Sequence, residues 1–301
     1  MACDQNSGAA GSPLGPLPAT TRLRASLEHW RHALITHEPG TRRGEDPEEL
    51  HHMRVAVRRM RALLKAGRSL LDTSWSEPLR AELGWLGRAL GAVRDLDVLL
   101  ERLQQSSTEL PAAERAAADQ LLTELRAERD RARERLLTTL DSARYRRLLL
   151  ATEQVRTAPR PPERGAAEPL RELVDAQFAE LRAAATGLGT EPTDAELHRV
   201  RIRTKQLRYT AELADQAPDV QLGELVRAAK QLQTVLGDHQ DACVARDRVR
   251  QLLADAPGTD TASAAELLAG AEEQRRRRCR AAWPGKWREL LAAAQECGIS
   301  G

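Results

Sequence analysis

The chain has 301 residues, 41% apolar and 30% charged, and its 46 basic and 44 acidic side chains leave a net charge of only +2. The apolar share is enough for a core, while 3% aromatics and an abundance of Ala, Leu, Arg and Glu favour helices. No window approaches 18 uninterrupted apolar residues, so a membrane-spanning helix is excluded. The four cysteines, Cys3, Cys243, Cys279 and Cys297, have neither a CxxC nor a metal-ligand spacing. A disulfide framework is therefore not expected, and a reducing cytoplasm is the expected compartment. Sustained alternation of apolar and polar residues is absent, so the expected fold class is all-α.

Residues 1–19 carry Gly, Pro and Ser with no positive start and no apolar run, and read as a disordered tail with no signal peptide. Four helices are then expected in residues 20–156: Thr20 to about His37, Pro47 to about Leu71, Ser76 to about Leu103, and Ala112 to about Leu140. A short segment with an aromatic, Tyr145–Leu150, follows. The Pro- and Gly-rich stretch at 157–167 reads as a linker. Residues 168–297 repeat the plan, with helices Glu168 to about Ala185, Thr193 to about Asp215, Leu222 to about Leu253 and Thr261 to about Arg280. Trp287–Leu291 is again a short closing segment. Asp46-Pro47-Glu48-Glu49 and Thr193-Asp194-Ala195-Glu196 mark helix starts, the second with the spacing of a capping box.

The two halves are copies of one pattern. His51, Arg54, Arg58 and Arg61 match His198, Arg201, Lys205 and Arg208, each pair 147 residues apart. Offsets of 0, 3, 7 and 10 fall within about 80° of a helical wheel, so each half presents one stripe of positive charge. Lys65 extends the first stripe, whereas its counterpart Glu212 interrupts the second. Leu90-Gly91-Ala92-Val93-Arg94-Asp95 aligns with Leu236-Gly237-Asp238-His239-Gln240-Asp241 at an offset of 146. Nearly constant offsets over successive helices point to tandem duplication, and two four-helix bundles related by a pseudo-two-fold are the expected arrangement. Paired cationic stripes imply a polyanion as ligand.

At these residues the sequence resembles the CHAD domain, a conserved-histidine α-helical domain. The pieces that carry the resemblance are His51-His-Met-Arg-Val-Ala-Val-Arg-Arg-Met-Arg61, Leu90–Val98, His198–Tyr209 and Leu236–Asp241, in that order. It covers about residues 20 to 295. The resemblance implies paired four-helix bundles with a basic central surface that binds inorganic polyphosphate. It also implies a polyphosphate-metabolising enzyme or a polyphosphate granule as further partners. Members are often fused to a CYTH triphosphate-hydrolysing domain; no room for one is expected in this sequence, which resembles a stand-alone version.

The candidate polyphosphate-binding residues are His51, Arg54, Arg58, Arg61, Lys65, Arg94, His198, Arg201, Lys205, Arg208 and Lys230. Arginine meets phosphate oxygens bidentately and lysine as a point charge, which suits a chain of charges with no bases to read. His51 and His198 are expected to donate to phosphate or to orient an arginine, because the neighbouring arginines would repel a metal ion. Asp95, Asp97 and Asp241 are expected to hold stripe arginines in place, and Gly91 and Gly237 to let helices approach closely. Arg59 and Arg203 lie off the stripes and read as ordinary surface charges. The run Arg275–Arg280 reads as a solvated or partner-facing helix, and Trp30, Trp75, Trp85, Tyr145, Trp283 and Trp287 as packing residues. No catalytic set, metal site or cofactor motif is found. The expected activity is therefore non-enzymatic binding. Two alternatives remain: nucleic acid on the same surface, the less favoured partner, and a metal-dependent phosphoanhydride enzyme built on the three aspartates.

Overall fold

The computed structural model describes residues 19–157, 168–215, 220–255 and 259–300. The expected tail and linker, residues 1–18 and 158–167, lie outside the described residues. The described residues form nine α-helices and two short 3-10 turns, with no strand among them.

Helix α1 (Ala19–Arg43) buries Leu23, Leu27 and Leu34 and runs six residues beyond the expected end at His37, through Pro39. Gly44, at φ 72°, stops it. Helix α2 (Pro47–Ala66) starts where Asp46 accepts from the Glu48 amide at 2.8 Å, with proline in the first turn. It ends before the expected Leu71. At Gly67 the chain passes so close to α1 that a Cβ would lie 2.2 Å from Leu23 Cδ2. A 3-10 turn (Arg68–Leu70) leads into α3 (Thr73–Thr108), capped by Asp72. Helices α4 (Ala112–Asp141) and α5 (Ala143–Glu153) are separated by Ser142, whose extended backbone and side-chain acceptor for the Tyr145 amide start a new helix.

The second half holds α6 (Glu168–Thr186), α7 (Asp194–Ala214), α8 (Gly223–Asp255) and α9 (Thr259–Glu296). The capping box at Thr193 and Glu196 is formed in both directions. In α9 the expected break after Arg280 does not occur. Pro284 is accommodated inside a helix of 38 residues, and Trp283, Trp287 and Leu290 bury one continuous face.

Successive helices pack against one another in both halves, and the halves meet where α2 packs on α7 and α4 on α9. Two apolar clusters result, and both cross the repeat boundary. One contains Met53, Val57, Met60 and Leu86 of the first half with Val174, Val200, Leu207 and Leu232 of the second. The other is a four-helix arrangement of the distal ends of α3 and α4 with those of α8 and α9, around Leu103, Leu122, Val249 and Leu268. Between α3 and α9, Arg102 donates to the fully buried Glu272 at 2.6 Å, and Ser106 donates to the same carboxylate at 3.3 Å. A buried carboxylate is tolerated only with such partners.

Candidate polyanion-binding site

The two stripes are carried by α2 and α7, and these helices pack on each other at the junction of the halves. The positions of Leu50, Met53, Val57, Met60 and Leu64 seat the apolar side of α2 in the core. Val200, Thr204, Leu207 and Ala211 do the same for α7. The stripes therefore emerge beside a shared seam.

Arg54 pairs with Asp95 of α3 at 2.9 Å, and that aspartate is well exposed. In the second half, Asp241 of α8 stands in the field of Arg201, while burial raises its carboxyl above the usual range. Each motif aspartate thus faces the second residue of its own stripe. Each motif glycine does as well: a Cβ at Gly91 would lie 3.7 Å from Arg54 Nε, and one at Gly237 would lie 3.9 Å from Arg201 Nε. These are ordinary contact distances, so the glycines leave room beside the arginines without being demanded by a clash. Asp97 departs from expectation, since it holds Arg129 of α4 at 2.9 Å and no stripe arginine.

Arg58 and Lys205 are repeat equivalents, and both are half-buried. Burial lowers the Arg58 pKa, and the charges of Arg54, Arg59 and Arg208 lower it further. Burial pushes the Lys205 amine down to about 7, with the charges of Arg201, Arg58 and Arg54 adding to the effect and Asp241 opposing it. Among the described residues, no carboxylate stands within ion-pair distance of either side chain. Arg58 Nε and Arg201 Nε are buried without a hydrogen-bond partner. Such atoms in a folded protein call for a ligand or solvent. Four cations from two halves thus share one electrostatic neighbourhood.

At one end of α2, His51 is held below its ordinary pKa by burial and then by the charge of Arg94, which also reaches Glu48 at 3.4 Å. The repeat equivalent of Arg94 is Gln240, whose Oε1 lies 2.8 Å from His198 Nδ1. Each stripe histidine therefore stands near the corresponding residue of its motif helix, His198 hydrogen-bonded to Gln240 and His51, when charged, repelled by Arg94. Towards the other end, Arg61 is exposed, lies against α3 near Gly84 and stands in the field of Arg80 and Arg88. Lys65 lines a cleft of about 100 Å³ with Leu173, Tyr209 and Thr210. Lys230 is exposed on α8, eleven residues before Asp241, or about 16 Å along the helix.

Two further residues behave otherwise than expected. Arg208 is 7% exposed and pairs with Glu212 at 3.5 Å, so it serves the seam instead of presenting its charge to solvent. Arg59, read as a surface charge, bridges to the same Glu212 and places its guanidinium 4.5 Å from the Tyr209 ring centroid and 5.4 Å from that of Trp30. It ties α1 and α2 to α7. The wheel position off the stripe pointed it away from the ligand face, but the neighbour that receives it is 153 residues distant. Arg203 does pair at the surface, with Glu180 and Gln206.

Most of the Arg275–Arg280 run is neutralised internally. Arg276 binds both oxygens of Asp194 at 3.0 Å, Arg280 reaches it at 3.2 Å, and Arg275 and Arg277 pair with Glu272 and Glu273. Asp194 also meets the buried His239, and these two with Cys243 bring their ligand-type atoms within 4.8 Å of one another. A cation there would confront two guanidinium groups on the same carboxylate, so the cluster is suited to an ion-pair network across α7, α8 and α9.

The chain is similar to known proteins in sequence and in fold. Two curated relatives, "Uncharacterized protein MT2285" of Mycobacterium tuberculosis (strain CDC 1551 / Oshkosh) and "Uncharacterized protein Rv2226" of Mycobacterium tuberculosis (strain ATCC 25618 / H37Rv), are each 30% identical over 295 residues. The match covers 94% of this chain, which spans 56% of the length of those relatives. PptA from Streptomyces chartreusis is similar in structure, with a TM-score of 0.74 and 25% identity, covering 90% of this chain and all of that one. The crystal structure of the CHAD domain from the plant Ricinus communis gives a TM-score of 0.66 and 25% identity, covering 97% of this chain and 96% of that one. Residues 22–250 match the CHAD domain itself. With the duplicated stripes, the motif helices behind them and these likenesses together, the chain belongs to the CHAD domain family.

Proposed function

We propose that this chain binds inorganic polyphosphate, without turning it over, along the seam between α2 and α7. The observation that carries the reading is the convergence of Arg54, Arg58, Arg201 and Lys205, with no carboxylate paired to Arg58 or Lys205 among the described residues. Concentrating like charges in a partly buried seam is unfavourable by itself, and a polyanion removes that repulsion. Arg54 can exchange Asp95 for phosphate at small cost, because exposed ion pairs contribute only about 0–1 kcal/mol. His51, Arg61, Lys65, Arg94 and His198 extend the surface along α2 and α7. Lys230 is a more distant contact for a long chain. A polyphosphate-metabolising enzyme or a granule in the cytoplasm is the setting in which such binding would serve.

The three aspartates are poorly suited to a metal-dependent phosphoanhydride enzyme. Asp95 is taken by Arg54 and Asp97 by Arg129, while Asp241 sits among Arg201, Arg102 and Lys205. Nucleic acid is the other polyanion of interest, but the aromatic side chains are spent on packing and on Arg59, not laid along the stripe for base stacking.

Titration with long-chain polyphosphate at several salt concentrations tests the proposal. Engagement of about six phosphates should give a log–log salt slope near −4. Affinity should fall stepwise as Arg54, Arg58, Arg201 and Lys205 are changed to Glu, and unchanged affinity in the quadruple variant would reject the site. Polyphosphate should displace RNA of equal charge far more readily than RNA displaces polyphosphate. The opposite order would favour nucleic acid.

A further inference from the structure

We propose that Lys205 is a site of covalent acylation, its ε-amine attacking the carbonyl carbon of an acyl phosphate whose phosphate group docks on Arg54, Arg58 and Arg201. The inference rests on the phosphate-binding reading for that docking step. It adds a reactive amine and a substrate class to the seam.

The choice of residue is the first argument. The chain has only four lysines among 46 basic residues, and one of them stands where the first stripe carries Arg58. Arginine in a protein stays protonated, whereas lysine loses its proton readily when desolvated beside other cations. That is the environment Lys205 occupies. The charged groups that face it are Arg54 and Arg58 from α2, Arg201 from its own helix and Asp241 from α8, and burial holds Asp241 towards its neutral form. With its amine pushed down to about 7, Lys205 offers a far larger share of free nucleophile at neutral pH than an exposed lysine does. The other lysines differ: Lys65 and Lys230 are exposed, and Lys286 pairs with Glu289 at 2.8 Å.

The reaction balances without further reagents. The amine nitrogen forms a C–N bond to the acyl carbon, and the bond from that carbon to the phosphate oxygen breaks. The phosphate leaves with the electron pair and receives the proton shed by the amine, so the products are an amide and hydrogen phosphate. Arginines that hold the phosphate of the donor also stabilise the charge that develops on the leaving group. The product amide has lost its charge, so acylation weakens the same seam for polyphosphate.

The experiment treats the full chain with acetyl phosphate at pH 7.5 and follows acetylation of each of the four lysines by peptide mass spectrometry. Lys205 should react about tenfold or more faster than Lys65, Lys230 and Lys286, its larger free-amine fraction being partly offset by lower intrinsic nucleophilicity. Its rate should level off above pH 7 to 8, while the exposed lysines keep accelerating. Equal or slower reaction at Lys205 overturns the proposal. A neutral acetyl ester should keep only the part of the preference set by the free-amine fraction, and selectivity as large as that with acetyl phosphate overturns the docking step. Lys205→Arg keeps the charge and should remove the acetylated peptide. Polyphosphate binding is titrated separately on unmodified protein. Selective acetylation of a chain that does not bind polyphosphate would support the acylation site and reject the polyphosphate reading.

Discussion

Glu212 occupies the position at which the second stripe departs from the first, and it receives both Arg59 and Arg208. The interruption was legible in the sequence, as Lys65 against Glu212, but its purpose was not, because it depends on which helix of the other half lies opposite. Removing the charge leaves a buried Arg208 and a half-buried Arg59 without their counter-ion. Glu212→Gln should therefore lower stability by about 2 kcal/mol in urea denaturation, a figure reduced from that of a fully buried pair because both partners of Arg59–Glu212 remain partly exposed. A second residue-scale effect concerns Lys205. The unfolded chain holds this proton to about 10.5 and the folded chain only to about 7. Between those values the unfolded state binds more protons, so stability rises with pH. Burial raises the thiols of Cys243 and Cys279 from 9.0, and their effect runs the other way above that pH. The useful window is therefore pH 7 to 8.5, over which stability should increase by about 1 kcal/mol. Lys205→Met should flatten that slope, and an unchanged slope would mean that Lys205 keeps its proton in the folded chain.

Helix ends show why element boundaries were less legible than element identities. The sequence places helices where α1–α4 and α6–α9 form, because Leu and Ala recur at helical spacing, but it read α5 only as a short segment with an aromatic, and α1, α2 and α9 end elsewhere than expected. Each discrepancy has a tertiary cause. Arg133 of α4 donates to the carbonyls of Thr41, Arg42 and Arg43 at 3.2, 2.7 and 2.8 Å, which satisfies the final turn of α1 and carries it past Pro39 to Gly44. Arg171 of α6 does the same for α9, reaching the carbonyls of Cys297 and Gly298 beside the positive φ of Gly298. Neither donor is near its acceptors in sequence. Arg133→Ala should cost about 2 kcal/mol, as charged donors to backbone carbonyls contribute more than neutral ones but are partly exposed here. Gly44→Ala should cost a comparable amount. Its Cβ would sit 2.2 Å from the Arg133 guanidinium, displacing the cap, and φ 72° strains a residue with a side chain. Equilibrium urea denaturation of both variants measures these costs, and a loss under about 0.5 kcal/mol for Arg133→Ala would mean that solvent caps α1 equally well.

At the scale of the whole molecule, the duplication was the most readable feature, since offsets of 146 and 147 are visible in residue identities alone. How the copies combine was not. Leucines such as Leu99, Leu103 and Leu122 have the spacing to pack within their own half, and nothing in that spacing says that they complete a bundle with Val249, Leu252 and Leu268. The larger cluster likewise contains residues of both halves, and Glu272 joins α9 to Arg102 of α3 from a fully buried position. A repeat that buries its apolar face against its copy cannot lose one half without exposing the core of the other. The two halves should therefore unfold together. The tryptophans allow a direct test, because Trp30, Trp75 and Trp85 lie in the first half and Trp283 and Trp287 in the second. Variants that retain only Trp85 or only Trp287 report on the two halves separately. Their urea midpoints, each referred to the stability of its own variant by circular dichroism, should coincide with the loss of helix. A fluorescence transition that precedes the loss of helix in one variant and follows it in the other would mean that the halves are independent bundles. The cation cluster at their seam would then depend on docking between them, not on folding.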